Sequence, residues 1–174
     1  REHQLNTAER IARRAADTLA VRLVLRWDRI EEVREERSRH TPMMIRKATE
    51  DDFEAIRAIY NYEVETACNN FAIHPADAET WAGHMAEYNK PGGNHPLIVA
   101  DDGESVCGYA SLSSFRSKGG YAPAVELSIY ISPDHRGQGI GGKLMAAIIE
   151  EARANQDTHA VISVITEGNQ ASVA

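Results

Sequence analysis

The stretch PDHRGQGIGG, residues 133–142, sets Gly137, Gly139, Gly141 and Gly142 behind Arg136 in a chain with only 12 glycines among 174 residues. Glycine tolerates positive φ and lets another group approach the backbone without a Cβ in the way. AVELSIYI, which precedes the stretch, reads as a strand, and GGKLMAAIIEEARAN, which ends it, reads as a helix. The first amides of a helix have no intrahelical acceptor, and the helix dipole presents partial positive charge there, so backbone alone can hold an anion. Arg136 adds a cation at the rim. Strand, glycine turn and helix in this order predict a phosphate- or pyrophosphate-binding loop.

Which phosphate is left open by the loop itself. Gly137, Gly139 and Gly142 also satisfy GxGxxG, a weak match to the dinucleotide fingerprint. In that fold the first glycine follows its strand almost at once, whereas residues 132–136 intervene here, and the strands upstream read as an antiparallel meander. Glu167 does close the following strand, as the dinucleotide pattern asks. A Walker A loop is ruled out, because no Lys-Ser or Lys-Thr pair follows the glycines.

Upstream, MMIRKA is a short strand, and Asp51 or Asp52 is placed to cap a helix running to about Thr66 with Phe53, Ile56, Ile59 and Tyr60 inward. After a loop with Pro75, a helix is predicted from Ala78 to Tyr88, and KPGGNHP is a turn. LIVAD and SVCGYASLSSF form an antiparallel pair around the hairpin signal Asp102-Gly103. HAVISVIT, residues 159–166, is the last strand. The order β-α-α-β-β-β-α-β gives a mixed α/β (α+β) fold in layers around one sheet. In AVELSIYI, strand alternation puts Val125, Leu127, Ile129 and Ile131 on one face and Glu126, Ser128 and Tyr130 on the other.

Residues 1–40 carry 10 arginines, no lysine and 8 acidic residues, so the remaining 134 residues hold a charge of −9 within the total of −7. Leu5, Ala8, Ala12, Ala15, Leu19, Leu23, Trp27, Ile30 and Val33 recur at helical spacing, which makes residues 1–42 a helical extension to a domain at 43–174. That extension is either a dimerisation helix or an appendage. The negative balance gives no electrostatic reason to bind nucleic acid or an anionic membrane. No apolar run is long enough to span a bilayer. Cys68 and Cys107 lack any ligand or disulfide spacing and read as free thiols of a reducing, cytoplasmic compartment. His74, His84, His95 and His159 show no metal spacing, so no metal is expected. Ser111, Ser113 and Ser114 lack the GxSxG elbow of a serine hydrolase.

Arg136, Gly137, Gln138, Gly139, Ile140 and Gly141 resemble the Q/R-x-x-G-x-G/A signature of the GNAT superfamily of acyl-CoA-dependent N-acetyltransferases. The segment GYASLSSFRSKGGYAPAVELSIYISPDHRGQGIG is similar to the phosphinothricin and methionine-sulfoximine acetyltransferase subfamily, and the resemblance covers residues 44–174. It implies acetyl-CoA as co-substrate and a small amino-acid acceptor. Backbone groups of Ile129, Tyr130 and Ile131 would bond the pantetheine arm. Gly137 to Gly142 would cradle the pyrophosphate, with Asn169 near the cofactor. Glu126 matches the family's general base, and Arg116, Gly119, Gly120, Tyr121 and Phe71 match positions around the acceptor. Acyl transfer needs a neutral amine, so a base must take the ammonium proton. Arg116 is suited to a substrate carboxylate, which a guanidinium binds in two-pronged fashion.

The sequence departs from the subfamily in its N-terminal helix and in Leu127, where relatives often carry histidine. It also ends at NQASVA, where relatives continue into further strands, so HAVISVIT would be an apolar sheet edge that invites association. A homodimer or a longer coding region is the expectation. Two readings stand: an N-acetyltransferase of small amino acids, or a non-catalytic acyl-CoA-binding or association module.

Overall fold

Turn signals between the apolar runs fold the chain back on itself strand by strand. The computed structural model describes residues 42–67, 72–167 and 169–173. Strands β1 (Met44–Lys47), β2 (Leu97–Asp101), β3 (Val106–Ser114), β4 (Ala124–Ile131) and β5 (Ala160–Ile162) form one sheet in the order β1-β2-β3-β4-β5. The first four run antiparallel in sequence, and β5 pairs parallel with β4. Helices α1 (Phe53–Thr66) and α2 (Ala78–Met85) lie between β1 and β2 in sequence, α3 (Ile140–Ala154) joins β4 to β5, and α4 (Gln170–Val173) follows. The predicted order of elements is observed. The antiparallel meander also closes the dinucleotide alternative, which needs a doubly wound parallel sheet. The helix predicted for residues 1–42, Cys68 and Phe71 lie outside the described residues.

Both faces of the sheet are covered. Ile98, Ala100, Leu112, Val125 and Leu127 pack with Ile140, Leu144, Ile148 and Ala152 of α3. On the other face Leu97, Val99 and Tyr109 pack with Ile56 and Ile59 of α1 and with Trp81 and Met85 of α2. Burial on two sides explains why LIVA reads as a continuous apolar run rather than an alternating one. In β4 the alternation holds, because Val125 and Leu127 enter the α3 layer while Tyr130 joins the α1 and α2 layer. Among the described residues no helix is long and apolar enough to cross a membrane.

Three local expectations are corrected. Helix α2 ends at Met85, not Tyr88: the Glu87 and Tyr88 amides bond the carbonyls three residues back, at His84 and Met85, and Asn89 then adopts a positive φ of 53°. Its side chain accepts from Leu97 N at 2.9 Å and donates to the Ala48 and Leu97 carbonyls, so the residue fastens the loop to the sheet. Strand β5 is only Ala160–Ile162, since pairing with β4 stops at Glu126↔Ile162. Asp52 makes no side-chain cap for α1; its carboxylate accepts from the Thr49 amide and hydroxyl in the preceding 3-10 turn.

Asp52 also accepts two hydrogen bonds from Arg46, at 2.7 and 2.8 Å, while the same guanidinium reaches Asp101 at 2.6 Å. Arg46 thus fastens β1 to the head of α1 and to β2. The arginine hydrogen bonds hold the Asp52 carboxyl below its usual 3.8. Cys107 is a buried free thiol whose ionisation burial and neighbouring Asp102 push up to about 11, so it is inert as a nucleophile at neutral pH.

A carboxyl depressed by folding adds stability that is complete above its unfolded value and drains away as pH falls through the folded one. The urea midpoint is therefore expected to hold from pH 7 to 5 and to drop below about pH 4. Asp52→Asn should cost roughly 1–3 kcal/mol at pH 7 and flatten that acid limb. A variant with an unchanged acid limb would show that Asp52 is not the group responsible.

Candidate functional site

At the end of β4 the chain passes through a 3-10 turn, Pro133–His135, and an extended Arg136 before reaching α3. Gly137 has φ 72° and Gly139, the N-cap of α3, has φ 75°; both values favour glycine, and no side chain caps the helix. Gly141 and Gly142 have ordinary backbone, and a Cβ built on either would meet nothing within 4 Å. Packing against the described residues therefore does not account for these two glycines. Both glycines line the space at the helix start, where uncapped amides are available to an anion.

That space belongs to a cleft of about 680 Å³. One wall is β4, contributing Glu126, Leu127, Ser128, Ile129, Tyr130 and Ile131; the loop supplies Arg136, Gly137, Gly139, Ile140, Gly141 and Gly142. Ser163, Val164 and Ile165 beyond β5, with Asn169, form the opposite side. The cleft exists because β4 and β5 part company after Glu126↔Ile162, which leaves Glu126 at the fork. Across the sheet Glu126 is paired with Ser113 of β3, and Ser128 with Ser111.

Aromatic rings floor the Glu126 face of β4. Tyr130 stacks on Tyr109 with centroids 5.2 Å apart, and Tyr60 meets Tyr130 edge-on at 5.8 Å and lies tilted against Trp81 at 4.8 Å. Burial raises the Tyr109 and Tyr60 hydroxyls above their ordinary pKa, so both stay protonated. Tyr88 is raised as well, chiefly by burial and partly by the Glu126 charge, while hydrogen bonding with Ser111 and Ser113 acts in the opposite direction.

Of the residues singled out in the sequence, the structure brings eleven candidates together: Glu126, Ile129, Tyr130, Ile131, Arg136, Gly137, Gly139, Ile140, Gly141, Gly142 and Asn169. Gln138 stands apart, its amide donating to the Asp134 carbonyl at 3.3 Å. Arg116, Gly119, Gly120 and Tyr121 do not line the cleft. They sit in the exposed β3–β4 connection, where the Arg116 guanidinium lies 4.9 Å from the Phe115 ring centre and Tyr121 meets the same ring edge-on. That connection is at the Glu126 end of the sheet, since Ser114 pairs with Val125. Sequence reasoning missed Glu63, Tyr88 and the arm at residues 163–165. Glu63 could have been noticed, because it follows Ile56 and Ile59 along the inward face of α1.

Residues 44–174 match the model of the acetyltransferase (GNAT) family. The chain belongs to the GNAT family of acetyltransferases. It is 35% identical over 131 residues to the L-amino acid N-acyltransferase MnaT of Escherichia coli, covering 75% of this chain and 74% of the relative. It is 36% identical over 133 residues to an L-methionine sulfoximine/L-methionine sulfone acetyltransferase of Pseudomonas aeruginosa, covering 74% of each. Among solved structures it is similar to a phosphinothricin acetyltransferase from Sinorhizobium meliloti in complex with acetyl-CoA, with TM-score 0.69, 30% identity and coverage of 75% of this chain and 70% of that one. The residues of this GNAT enzyme fit such a cofactor: an uncapped helix start, glycines whose Cβ positions face open space, and a cleft leading from them along β4 to a carboxylate.

Gly141→Ala provides a test that separates fold from ligand. An alanine for glycine in a helix, where the methyl meets no protein atom, should raise stability by about 0.5–1 kcal/mol. The same methyl should weaken coenzyme A binding measured by calorimetry. Unchanged binding would mean that the cradle does not receive the ligand.

Proposed function

We propose that the protein transfers the acetyl group of acetyl-CoA to the amine of a small amino acid of the phosphinothricin or methionine sulfoximine and sulfone type. The observation that carries this reading is the position of Glu126 at the β4–β5 fork, in one cleft with the glycine loop. The names of the relatives support the acceptor class.

Acetyl-CoA supplies an acetyl group activated as a thioester. In this reading the amides around residues 137–142 hold its pyrophosphate, Arg136 stands at the rim, and the backbone of Ile129, Tyr130 and Ile131 bonds the pantetheine arm as an added strand would. Asn169 closes the far side. The arm then runs toward Glu126. Glu126 takes a proton from the acceptor ammonium, directly or through one water, and the freed amine attacks the thioester carbonyl. The N–C bond forms, the C–S bond breaks, and the proton shed by the acylated nitrogen passes through water to the departing thiolate, which leaves as the free thiol. Arg116 binds the acceptor carboxylate and the Gly119, Gly120 and Tyr121 segment flanks it.

Assay of free thiol release with acetyl-CoA and a panel of these amino acids tests the reading directly. Glu126→Gln should lower kcat by about 10²–10⁴ while coenzyme A affinity stays as in the wild type. Full turnover by Glu126→Gln would remove the glutamate from the mechanism. Coenzyme A binding by the wild type without acetylation of any panel member would favour a non-catalytic acyl-CoA-binding module instead.

A further inference from the structure

The inward face of α1 ends in a carboxylate: Ile56 and Ile59 are buried, and so is Glu63, at 7% exposure. A buried carboxylate is costly unless a cation and hydrogen bonds compensate it. Arg136 supplies such a cation: its Nη2 donates to Glu63 Oε1. The Arg136 Nε also donates to the Ile131 carbonyl at 3.4 Å, and the guanidinium lies 5.6 Å from the centre of the Tyr62 ring. Residues 73 positions apart in sequence thus meet at the rim of the cleft, which both line.

We infer that Glu63 is a positioning residue that holds the Arg136 guanidinium in place for the pyrophosphate of the acyl donor. The inference rests on the proposed reading of the glycine loop. A guanidinium carries several N–H donors in a planar fork, and those named above occupy only its Nε and Nη2 edge. The arginine side chain is 48% exposed while that of Glu63 is 9% exposed, so Arg136 reaches the surface of the cleft from a buried anchor. An anion that pulled Arg136 away would break its charge-assisted bond to a buried carboxylate. Sharing is the cheaper arrangement: Arg136 stays on Glu63 and Ile131 and presents its remaining donors outward. Anchoring also removes rotamer freedom that a free arginine would lose on binding.

The test compares two donors, acetyl-CoA and S-acetyl-pantetheine, which carries the same thioester without the pyrophosphate. Wild type should favour acetyl-CoA in kcat/KM. Glu63→Gln should raise the KM for acetyl-CoA about tenfold, the weight of one charge-assisted hydrogen bond, with kcat and the pantetheine reaction unchanged. Thermal melting checks that the variant is folded. The double variant Glu63→Gln/Arg136→Gln, which leaves no buried charge unpaired, should lose at least as much of the preference. A Glu63→Gln protein that keeps the wild-type preference, or slows both donors equally, would overturn the role of Glu63 alone. A wild type indifferent to the pyrophosphate would overturn the loop reading beneath it.

Discussion

The parting of β4 from β5 is the constraint on which the site depends. The two strands are paired for three residues, Ala124↔Ala160 to Glu126↔Ile162, and then separate. Had pairing continued along β4, residues 127–131 would be sheet interior, with no cleft between them and residues 163–165. The fork sets Glu126 at its vertex and gives the rest of β4 an edge facing open space. An extended ligand can use such an edge as it would a neighbouring strand.

What keeps β4 rigid beside that opening is the antiparallel pairing on its other side. Seven residue pairs join it to β3, from Gly108↔Ile131 to Ser114↔Val125. Gly108 shows how close this contact is, since a Cβ there would meet the Tyr130 carbonyl oxygen and Ile131 Cδ1 at 2.8 Å. The α3 layer anchors the opposite face through Leu144 and Ile148, and α3 itself begins at the glycine loop. One helix therefore serves both as core and, at its uncapped N-terminus, as the place where negative charge is favoured. The Glu63–Arg136 pair brings α1 to the same spot.

Much of this was legible in the sequence for identifiable reasons. The alternation in AVELSIYI separates Glu126 from the core because strand period is local geometry, and PDHRGQGIGG announces its loop because positive φ at Gly137 and Gly139 demands glycine. The length of β5 was not legible. HAVISVIT is apolar apart from His159, Ser163 and Thr166, and nothing in it marks Ile162 as the last paired residue, since that depends on where β4 turns away. The acceptor side was equally hidden: Arg116 and Tyr121 lie on Phe115 in a connection whose course is set by tertiary contacts, and no periodicity governs it. Glu63 was overlooked because its partner is far along the chain and a lone acidic residue on a helix reads as solvated.

In the proposed function a coenzyme A ligand lies along β4 and ends at the start of α3. Amide hydrogen exchange with and without coenzyme A measures this most directly. Protection on binding should be confined to residues 127–131 and 137–142, with the β3–β4 connection at residues 116–121 unchanged until an amino-acid acceptor is added. Protection that appears elsewhere and leaves both segments exchanging as before would contradict the account.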